Sequence, residues 1–266
     1  MKPVRPSRIA QLSLAALALA LFPGAKNGCG SQEANETLRS PVQAVTTLLE
    51  RSDGTVEAEL VLISTAANPH VFVQSAREAT LRVPDGTLVP LTMTSPGHYT
   101  AKSTSNAALR YDPGATYQFR FELDDKAAAE QVSGGSFVAV MDAPDDVVSS
   151  ALARPPKFSG DTAQLTWSPA SRFAIVSIRH EDSGATTYST FDFDEPQFDG
   201  SKWARLPRGG SKELSVDVFP EAGAYTIGLC AVDKVSDFDT SISAELGWLS
   251  GFLIGRCAPD ITVEVP

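Results

Sequence analysis

Residues 55–64 read TVEAELVLIS, and apolar and polar residues alternate through the first half of this segment. The apolar positions are Val56, Ala58, Leu60 and Leu62. Because successive side chains of a strand point to opposite faces, this period of two predicts a half-buried β-strand whose polar face begins with Glu57 and Glu59. Residues 42–50 are rich in Val, Thr and Leu, and they predict a second strand across the turn residues 52–54.

Turn motifs that contain proline and glycine continue this pattern towards residue 143. They are Pro84-Asp85-Gly86, Ser95-Pro96-Gly97 and Asp112-Pro113-Gly114. Proline presets φ and glycine accepts a positive φ, so each motif favours a tight turn. The segments around them predict short strands at residues 79–83, 87–94, 98–100, 117–121 and 136–141. The first two of these are expected to form a hairpin. About seven short strands at this spacing are typical of a β-sandwich, and residues 124–132 are the one plausible helical segment.

The C-terminal part of the chain contains the motif Leu165-Thr166-Trp167-Ser168-Pro169. It looks like the second strand of a fibronectin type III-like or related immunoglobulin-like sandwich, with Trp167 as the core aromatic residue. Residues 221–229 resemble the penultimate strand, in which a tyrosine, here Tyr225, bonds back to the main chain upstream. Residues 174–179 and 261–265 are the expected third and last strands. The resemblance implies a fold and not an activity, since these sandwiches carry many functions.

The fold class predicted from these patterns is all-β, with two tandem antiparallel sandwiches of the immunoglobulin or fibronectin III type. The first sandwich is expected at residues 41–143 and the second at residues 157–266, with a long insert at residues 233–259. Acidic and proline-rich residues between the two sandwiches predict a linker at residues 144–156. Within that linker, residues 147–153 fit either one helical turn or the first edge strand.

The N-terminus predicts export. Three basic residues, Lys2, Arg5 and Arg8, precede the almost wholly apolar residues 9–22, and Pro23-Gly24 ends the apolar run. This layout is typical of a secretory signal peptide, here residues 1–28. A permanent membrane-spanning helix is less favoured, because crossing a bilayer of about 30 Å takes roughly twenty apolar residues.

Cys29 follows the signal peptide in the motif Gly28-Cys29-Gly30-Ser31, which resembles a bacterial lipoprotein signal. The resemblance implies that Cys29 is lipidated with more than one acyl chain and anchors the chain to a membrane, as expected of an outer-membrane lipoprotein. Lys26 departs from the family pattern, which prefers an aliphatic residue three places before the cysteine. Plain secretion, a periplasmic location and an uncleaved N-terminal anchor remain alternatives. Residues 29–40 predict a polar tether.

The charge of the mature chain excludes one class of partner. Removal of residues 1–28 takes away four basic residues and no acidic ones, leaving 18 Lys and Arg against 32 Asp and Glu, a net charge of −14. A surface this acidic repels phosphate backbones, so no nucleic-acid partner is expected.

With Cys29 assigned to lipid, Cys230 and Cys257 are left as a pair in an oxidising compartment. Cys230 lies near the end of one predicted strand, and Cys257 lies just before its hairpin neighbour. We expect a disulfide across the base of the insert, and the alternative is two buried free thiols.

No catalytic motif is recognisable, so no enzyme and no cofactor are predicted. The histidines His70, His98 and His180 lack metal-ligand spacing, and the serine of residues 247–251 is misplaced for a nucleophile elbow. Clustered carboxylates are weak candidates for calcium, which takes six to eight oxygen ligands. These candidates are Asp192, Asp194, Asp199, Asp237 and Asp239. Because the EF-hand spacing is missing, an ordinary solvated surface is the preferred interpretation.

The most apolar run outside the signal peptide is residues 246–254. It either caps the open end of the second sandwich or packs against the first, or else it forms an exposed interaction patch. The residues of such a patch are Trp248, Leu249, Phe252 and Leu253.

The function predicted from the sequence is that of a non-catalytic exported lipoprotein, a binding or structural module of the cell envelope with an unknown protein or glycan partner. The alternative is a secreted carbohydrate- or calcium-binding sandwich, for which Trp203 and Trp248 are the candidate exposed aromatics. A hydrolase without a recognised motif is a remote alternative.

Overall fold

A computed structural model describes residues 31–32, 42–64, 71–73, 76–123, 136–190, 206–235 and 251–266. Within these ranges the chain contains strands and one short 3₁₀ helix and no α-helix, so the predicted all-β class is confirmed. The predicted signal peptide, Cys29 and the helical candidate 124–132 lie outside the described residues.

The first ten strands build the first sandwich. They are β1 (Ser31–Gln32), β2 (Val42–Glu50), β3 (Val56–Ser64), β4 (Val71–Val73), β5 (Ala76–Arg82), β6 (Leu88–Pro90), β7 (Thr92–Ser95), β8 (His98–Lys102), β9 (Thr116–Leu123) and β10 (Ser136–Asp142). Strands β7, β8, β3 and β2 lie side by side in one sheet, and β10, β9, β5 and β6 form the facing sheet. Taken in chain order, the strands are distributed between these two sheets as they are in an immunoglobulin-like sandwich.

The second sandwich uses the remaining elements. They are β11 (Ser149–Arg154), β12 (Ala163–Ser168), β13 (Phe173–His180), β14 (Thr186–Ser189), β15 (Ser211–Leu214), the 3₁₀ helix η1 (Val216–Val218), β16 (Gly223–Val235), β17 (Gly251–Cys257) and β18 (Ile261–Val265). A sheet of β11, β12 and β15 faces a sheet in which β14, β13, β16 and β18 are neighbours. Trp167 lies on β12 and is buried in the core between them, as predicted.

The two sandwiches share one sheet, which the sequence did not predict. Strand β17 pairs with β16 of the second sandwich on one side and, in parallel, with β2 of the first sandwich on the other. Its side chains Phe252 and Ile254 belong to the core of the first sandwich. Strand β17 therefore joins the ladders of both sandwiches into a single eleven-stranded sheet.

Two segments that the sequence assigns to an insert and a linker contain strands. In the insert expected at residues 233–259, β16 extends to Val235 and Gly251–Cys257 is a central strand. The linker expected at residues 144–156 contains β11, which pairs with β12 along its length. Of the two readings of residues 147–153, the edge strand is confirmed. The physical reason is the same in both cases, since each segment satisfies its backbone groups in a ladder.

The hairpin expected from residues 79–94 is only partly formed. Strand β6 pairs with β5 across the predicted turn, where Gly86 has a φ of 88°. After Leu91, whose side chain is buried, the chain crosses to the other sheet and β7 pairs with β8 instead. Residues 87–94 are thus two short strands in different sheets.

A tyrosine locks one corner of each sandwich. The Tyr225 hydroxyl donates to the Glu221 carbonyl at 2.9 Å and accepts from the Glu221 N–H at 3.2 Å, as the resemblance implied. The Tyr117 hydroxyl donates to the Arg110 carbonyl at 2.8 Å and accepts from the Asp112 N–H at 2.6 Å. The Tyr117 corner of the first sandwich was not predicted, although both tyrosines closely follow a Gly-Ala dipeptide.

Replacement of either corner hydroxyl should destabilise the fold. In Tyr225→Phe and Tyr117→Phe the buried ring stays while two backbone groups lose their partner, so we expect each change to lower the free energy of unfolding by about 1–2 kcal/mol. Tyr188→Phe is the matched control, because Tyr188 is only half-buried and its ring contact with Lys212 survives the change. Urea unfolding followed by tryptophan fluorescence measures all three. Equal midpoints for the corner variants and the control would contradict the expectation.

Ion pairs lie at the junction of the two sandwiches, on the face of the shared sheet that carries both smaller sheets. Arg172, in the β12–β13 turn, bonds Asp146 of the connection between the sandwiches at 2.9 Å through its Nε, and it also pairs with Asp233 of β16. Beside this triad, Arg256 of β17 pairs with Glu50 of β2 at 2.5 Å. All five side chains are partly buried, so these pairs are screened less than surface pairs.

Loss of the triad's centre should cost measurable stability. Arg172→Ala leaves two carboxylates without their partner, and we expect the free energy of unfolding to fall by about 1–2 kcal/mol. Arg154→Ala is the control: Arg154 is 52% exposed and lies 3.3 Å from Glu213, a surface pair worth about 0–1 kcal/mol. Urea unfolding at low and high salt measures the free energy of unfolding of both variants, and it distinguishes the partly buried pairs of Arg172 from the exposed pair of Arg154. If Arg154→Ala lowers the free energy of unfolding as much as Arg172→Ala does, the ion pairs of Arg172 add no more stability than a surface pair.

Candidate functional site: a groove on the open face of the shared sheet

Both smaller sheets cover the same face of the shared sheet, and a groove lies on the opposite face. Strand β16 shows the division: Tyr225, Ile227 and Leu229 enter the core of the second sandwich, whereas Thr226 and Gly228 face the groove. The groove has a volume of about 580 Å³. Its described lining is Thr47, Leu49, Arg51, Ser52, Asp53, Glu59, Ile175, Ser177, Arg179, Thr186, Thr226, Gly228, Leu229, Cys230, Cys257, Ala258 and Asp260.

The floor is open because β16 carries a glycine at its centre. A Cβ on Gly228 would lie 3.0 Å from the Ser177 hydroxyl and 3.4 Å from a carboxylate oxygen of Asp260. These two side chains therefore converge on the position where a larger residue would fill the groove. The hydroxyl and the carboxylate offer hydrogen bonds to a polar ligand there.

One rim of the groove is the β2–β3 turn, which is fixed by hydrogen bonds. The carboxylate of Asp53 accepts from the Thr55 N–H at 2.8 Å, and this backbone bond lowers the pKa of Asp53. Arg51 pairs with Glu57 at 2.5 Å. Burial alone raises the pKa of Glu57, but hydrogen bonds from Lys102 and Arg51 outweigh burial and lower it. The rim is therefore ionised and held in place at neutral pH.

The opposite end of the groove is built around Arg179. Its guanidinium lies 3.3 Å from Glu181, a partly exposed pair. A hydrogen bond from the Thr226 side chain is the main cause that lowers the pKa of Glu181. The groove thus has an arginine at each end, and hydroxyls and carboxylates line the space between them.

A disulfide joins Cys230 and Cys257 on the groove floor, which confirms the predicted pair. The two cysteines are register partners in the antiparallel β16–β17 ladder. Cys257 is the last residue of β17, so the bond ties β16 and β17 at the end of their ladder that lies away from the connection between them.

The other predicted site residues are not gathered in this groove. Phe252 and Leu253 are fully buried on β17, which corrects their assignment to an exposed patch. The physical reason is that Phe252 enters the core of the first sandwich, whereas Leu253, on the other face of β17, joins an apolar cluster with Val45 and Val232 beside the groove. The remaining patch residues Trp248 and Leu249 lie outside the described residues, as do Trp203 and His70 and the calcium candidates Asp192, Asp194, Asp199, Asp237 and Asp239.

His98 and His180 are both buried, one in each sandwich. The Nδ1 atom of His180 lies 3.0 Å from the Ser183 hydroxyl, and its ring packs edge-on against Tyr225. Across the described ranges there is no group of three or more metal-ligating side chains. The same ranges contain no helix that is long and apolar enough to cross a membrane.

No known protein family matches this sequence, and no curated protein matches it. Solved structures of other proteins resemble the chain, and two of them illustrate the degree of similarity. Fibronectin(III)-like modules of Clostridium thermocellum CbhA are 12% identical, with 84% of this chain and 92% of that chain covered and a TM-score of 0.23. Native alpha-2-macroglobulin from Escherichia coli, in a structure spanning domains MG0-NIE-MG1, is 10% identical, with 84% of this chain and 74% of that chain covered and a TM-score of 0.24. Scores this low carry no functional inference, and the sandwich architecture rests on the strand pairing of this chain.

Sequence reasoning missed the groove because its residues come from separate strands and form no motif. One signal was available. On β16, the small or polar residues Thr226, Gly228 and Cys230 alternate with the large core residues of the same strand. A face of small and polar residues on a strand that is otherwise buried marks a surface that is left open.

Proposed function

We propose that this protein is an exported, lipid-anchored component of the bacterial cell envelope that acts without catalysis, as a binding or structural module. Its N-terminal residues 1–28 have the layout of a signal peptide, and Cys29 stands where a lipoprotein carries its acyl chains. The observation that carries the proposal is the Cys230–Cys257 disulfide, because disulfides form and persist outside the reducing cytosol.

The groove is the binding surface in this proposal. It lies on the face of the shared sheet opposite the two smaller sheets, so a ligand there would touch residues of β2 from one sandwich and β13 from the other. Hydroxyls, carboxylates and two arginines line it, and this set suits a polar partner that makes several hydrogen bonds, either a protein segment or a glycan.

Metabolic labelling tests the export and the anchor. Bacteria that express the full chain are grown with an alkyne fatty acid and fractionated, and the lipid label on the protein is measured. We expect label on the wild-type protein in the membrane fraction and none on Cys29→Ser. Recovery of the unlabelled wild-type chain from the cytosol, with Met1 retained and its thiols reduced, would contradict the proposal.

Photo-crosslinking in the same cells tests the groove. A photoreactive amino acid at position 177 lies on the groove floor, whereas one at Leu88, which is 58% exposed on the first sandwich, lies away from it. We expect a discrete cross-linked product from position 177 and none from position 88. Equal products from both positions would show that the groove is not the binding surface.

A further inference from the structure

The Cys230–Cys257 disulfide is placed where a thiol from solution reaches it. Both cysteines line the groove, although they differ in exposure. Cys230 is only 5% exposed, whereas Cys257 is partly exposed. A nucleophile that enters the groove therefore meets the sulfur of Cys257 first.

A fixed positive charge lies over the two sulfurs. The Nη1 atom of Arg51 is 3.9 Å from each Sγ. The Nε and Nη2 atoms of the same guanidinium hold Glu57 at 2.8 and 2.5 Å, so the third nitrogen is aimed at the sulfurs. Lys102 pairs with the other oxygen of Glu57 at 2.7 Å. These three side chains together carry a net charge of +1, and the carboxylates of Asp53, Glu59 and Asp260 also line the groove that holds the disulfide.

A cation at this distance favours thiol chemistry. Thiolates beside Arg or Lys have lowered pKa values, and a leaving thiol with a lower pKa departs faster in thiol–disulfide exchange. Cys230 itself belongs to a buried apolar cluster with Leu49 and Val232, and such surroundings alone oppose thiolate formation. Access through the partly exposed Cys257 and the cation of Arg51 distinguish this bond from a disulfide wholly enclosed in a core.

We propose that Cys230–Cys257 is a thiol–disulfide exchange site whose substrate is a dithiol reductant. One thiolate of the dithiol attacks Cys257 Sγ, the Cys230–Cys257 bond breaks, and Cys230 leaves as a thiolate beside Arg51. The second thiol of the dithiol loses its proton and attacks the mixed disulfide, which releases Cys257. The protein gains two electrons and two protons as a pair of thiols, and the dithiol is oxidised to its disulfide.

Exchange at this site acts on the contact between the sandwiches. Strand β17 supplies the parallel ladder to β2, and the disulfide is its covalent tie to β16. Reduction removes that tie and leaves the backbone pairing, so the redox state sets how firmly β17 is held in the shared sheet.

Reduction kinetics of the purified full chain test the proposal. The native protein is incubated with dithiothreitol and quenched with iodoacetamide, and the alkylated Cys230 and Cys257 peptides are quantified over time. We expect reduction without denaturant and a rate constant about 3- to 10-fold lower in Arg51→Gln, since the leaving thiolate loses its cation. Arg51→Lys keeps the charge. The logarithm of its rate constant should lie at least halfway from the Arg51→Gln value to the wild-type value. Arg154→Gln, whose surface pair with Glu213 lies outside the groove, should match the wild type.

A second readout separates thiolate stabilisation from simple loosening of the fold. In the reduced protein, the pH dependence of alkylation gives the thiol pKa, which should be lower in the wild type than in Arg51→Gln. Two results would overturn the proposal: reduction only at denaturant concentrations that unfold the protein, or the same reduction rate and thiol pKa in the wild type and Arg51→Gln.

Discussion

Gly255→Ala is expected to be among the most damaging single substitutions in this protein. A Cβ at residue 255 would overlap the Ala231 carbonyl oxygen and lie 2.7 Å from the Cα of Val232. Both obstacles are backbone atoms of β16, so no side-chain rotation relieves the overlap. Strands β16 and β17 must move apart at the position where the two sandwiches share their sheet. Such overpacking typically costs 1–3 kcal/mol and occasionally more, and we expect about 3 kcal/mol here.

Gly228→Ala is the matched control for this prediction. Gly228 lies on β16 and faces the groove, and a Cβ there would meet only the ends of the Ser177 and Asp260 side chains. We expect its free energy of unfolding to stay within about 0.5 kcal/mol of the wild type. Thermal unfolding should show Gly255→Ala lower by roughly 6–12 °C, from about 2–4 °C per kcal/mol for a chain of this size. Similar melting temperatures for the two variants would mean that β16 and β17 are not closely packed.

The parts of the fold that the sequence predicts well are those fixed by neighbouring residues. Residues 42–50 form β2 with the predicted bounds, and residues 56–64 of the alternating segment form β3. Turn chemistry and the period of two act over a few residues, so a single sequence contains them in full. The corner of Tyr225 was predicted instead from the resemblance to immunoglobulin-like domains, and its partner Glu221 lies four residues upstream.

Strand β17 shows what a single sequence does not reveal. Phe252, Leu253 and Ile254 are all fully buried, because the first and third enter the core of the first sandwich and Leu253 joins a separate apolar cluster on the other face of the strand. A short continuous apolar run of this kind has no alternation and is ambiguous among a buried strand, a cap and a surface patch. Its parallel partner β2 lies at the other end of the chain, and no local pattern encodes that pairing. The groove depends on this long-range pairing, so it could not be predicted from the sequence for the same reason.

Removal of the Cys230–Cys257 disulfide is the second change with a large expected effect. The two cysteines are 27 residues apart in sequence. In the chain-entropy model, closing a loop of this length restricts the unfolded chain enough to stabilise the fold by about 3.5 kcal/mol. The double variant Cys230→Ala/Cys257→Ala should therefore unfold at a markedly lower denaturant concentration. Cys29→Ala is the control, since it removes a cysteine and leaves the disulfide, and it should unfold as the wild type does.

The mechanism of this stabilisation makes a separate prediction about the unfolded state. In the folded protein, β16 and β17 remain paired along their ladder without the disulfide, so the native structure should change little. The unfolded chain, in contrast, loses a cross-link and expands, which exposes more surface on unfolding and raises the slope of free energy against denaturant. We expect a lower midpoint together with a steeper slope in the double variant. A lower midpoint at an unchanged slope would place the effect in the native strand contacts, and an unchanged midpoint would show that the β16–β17 ladder alone holds the shared sheet.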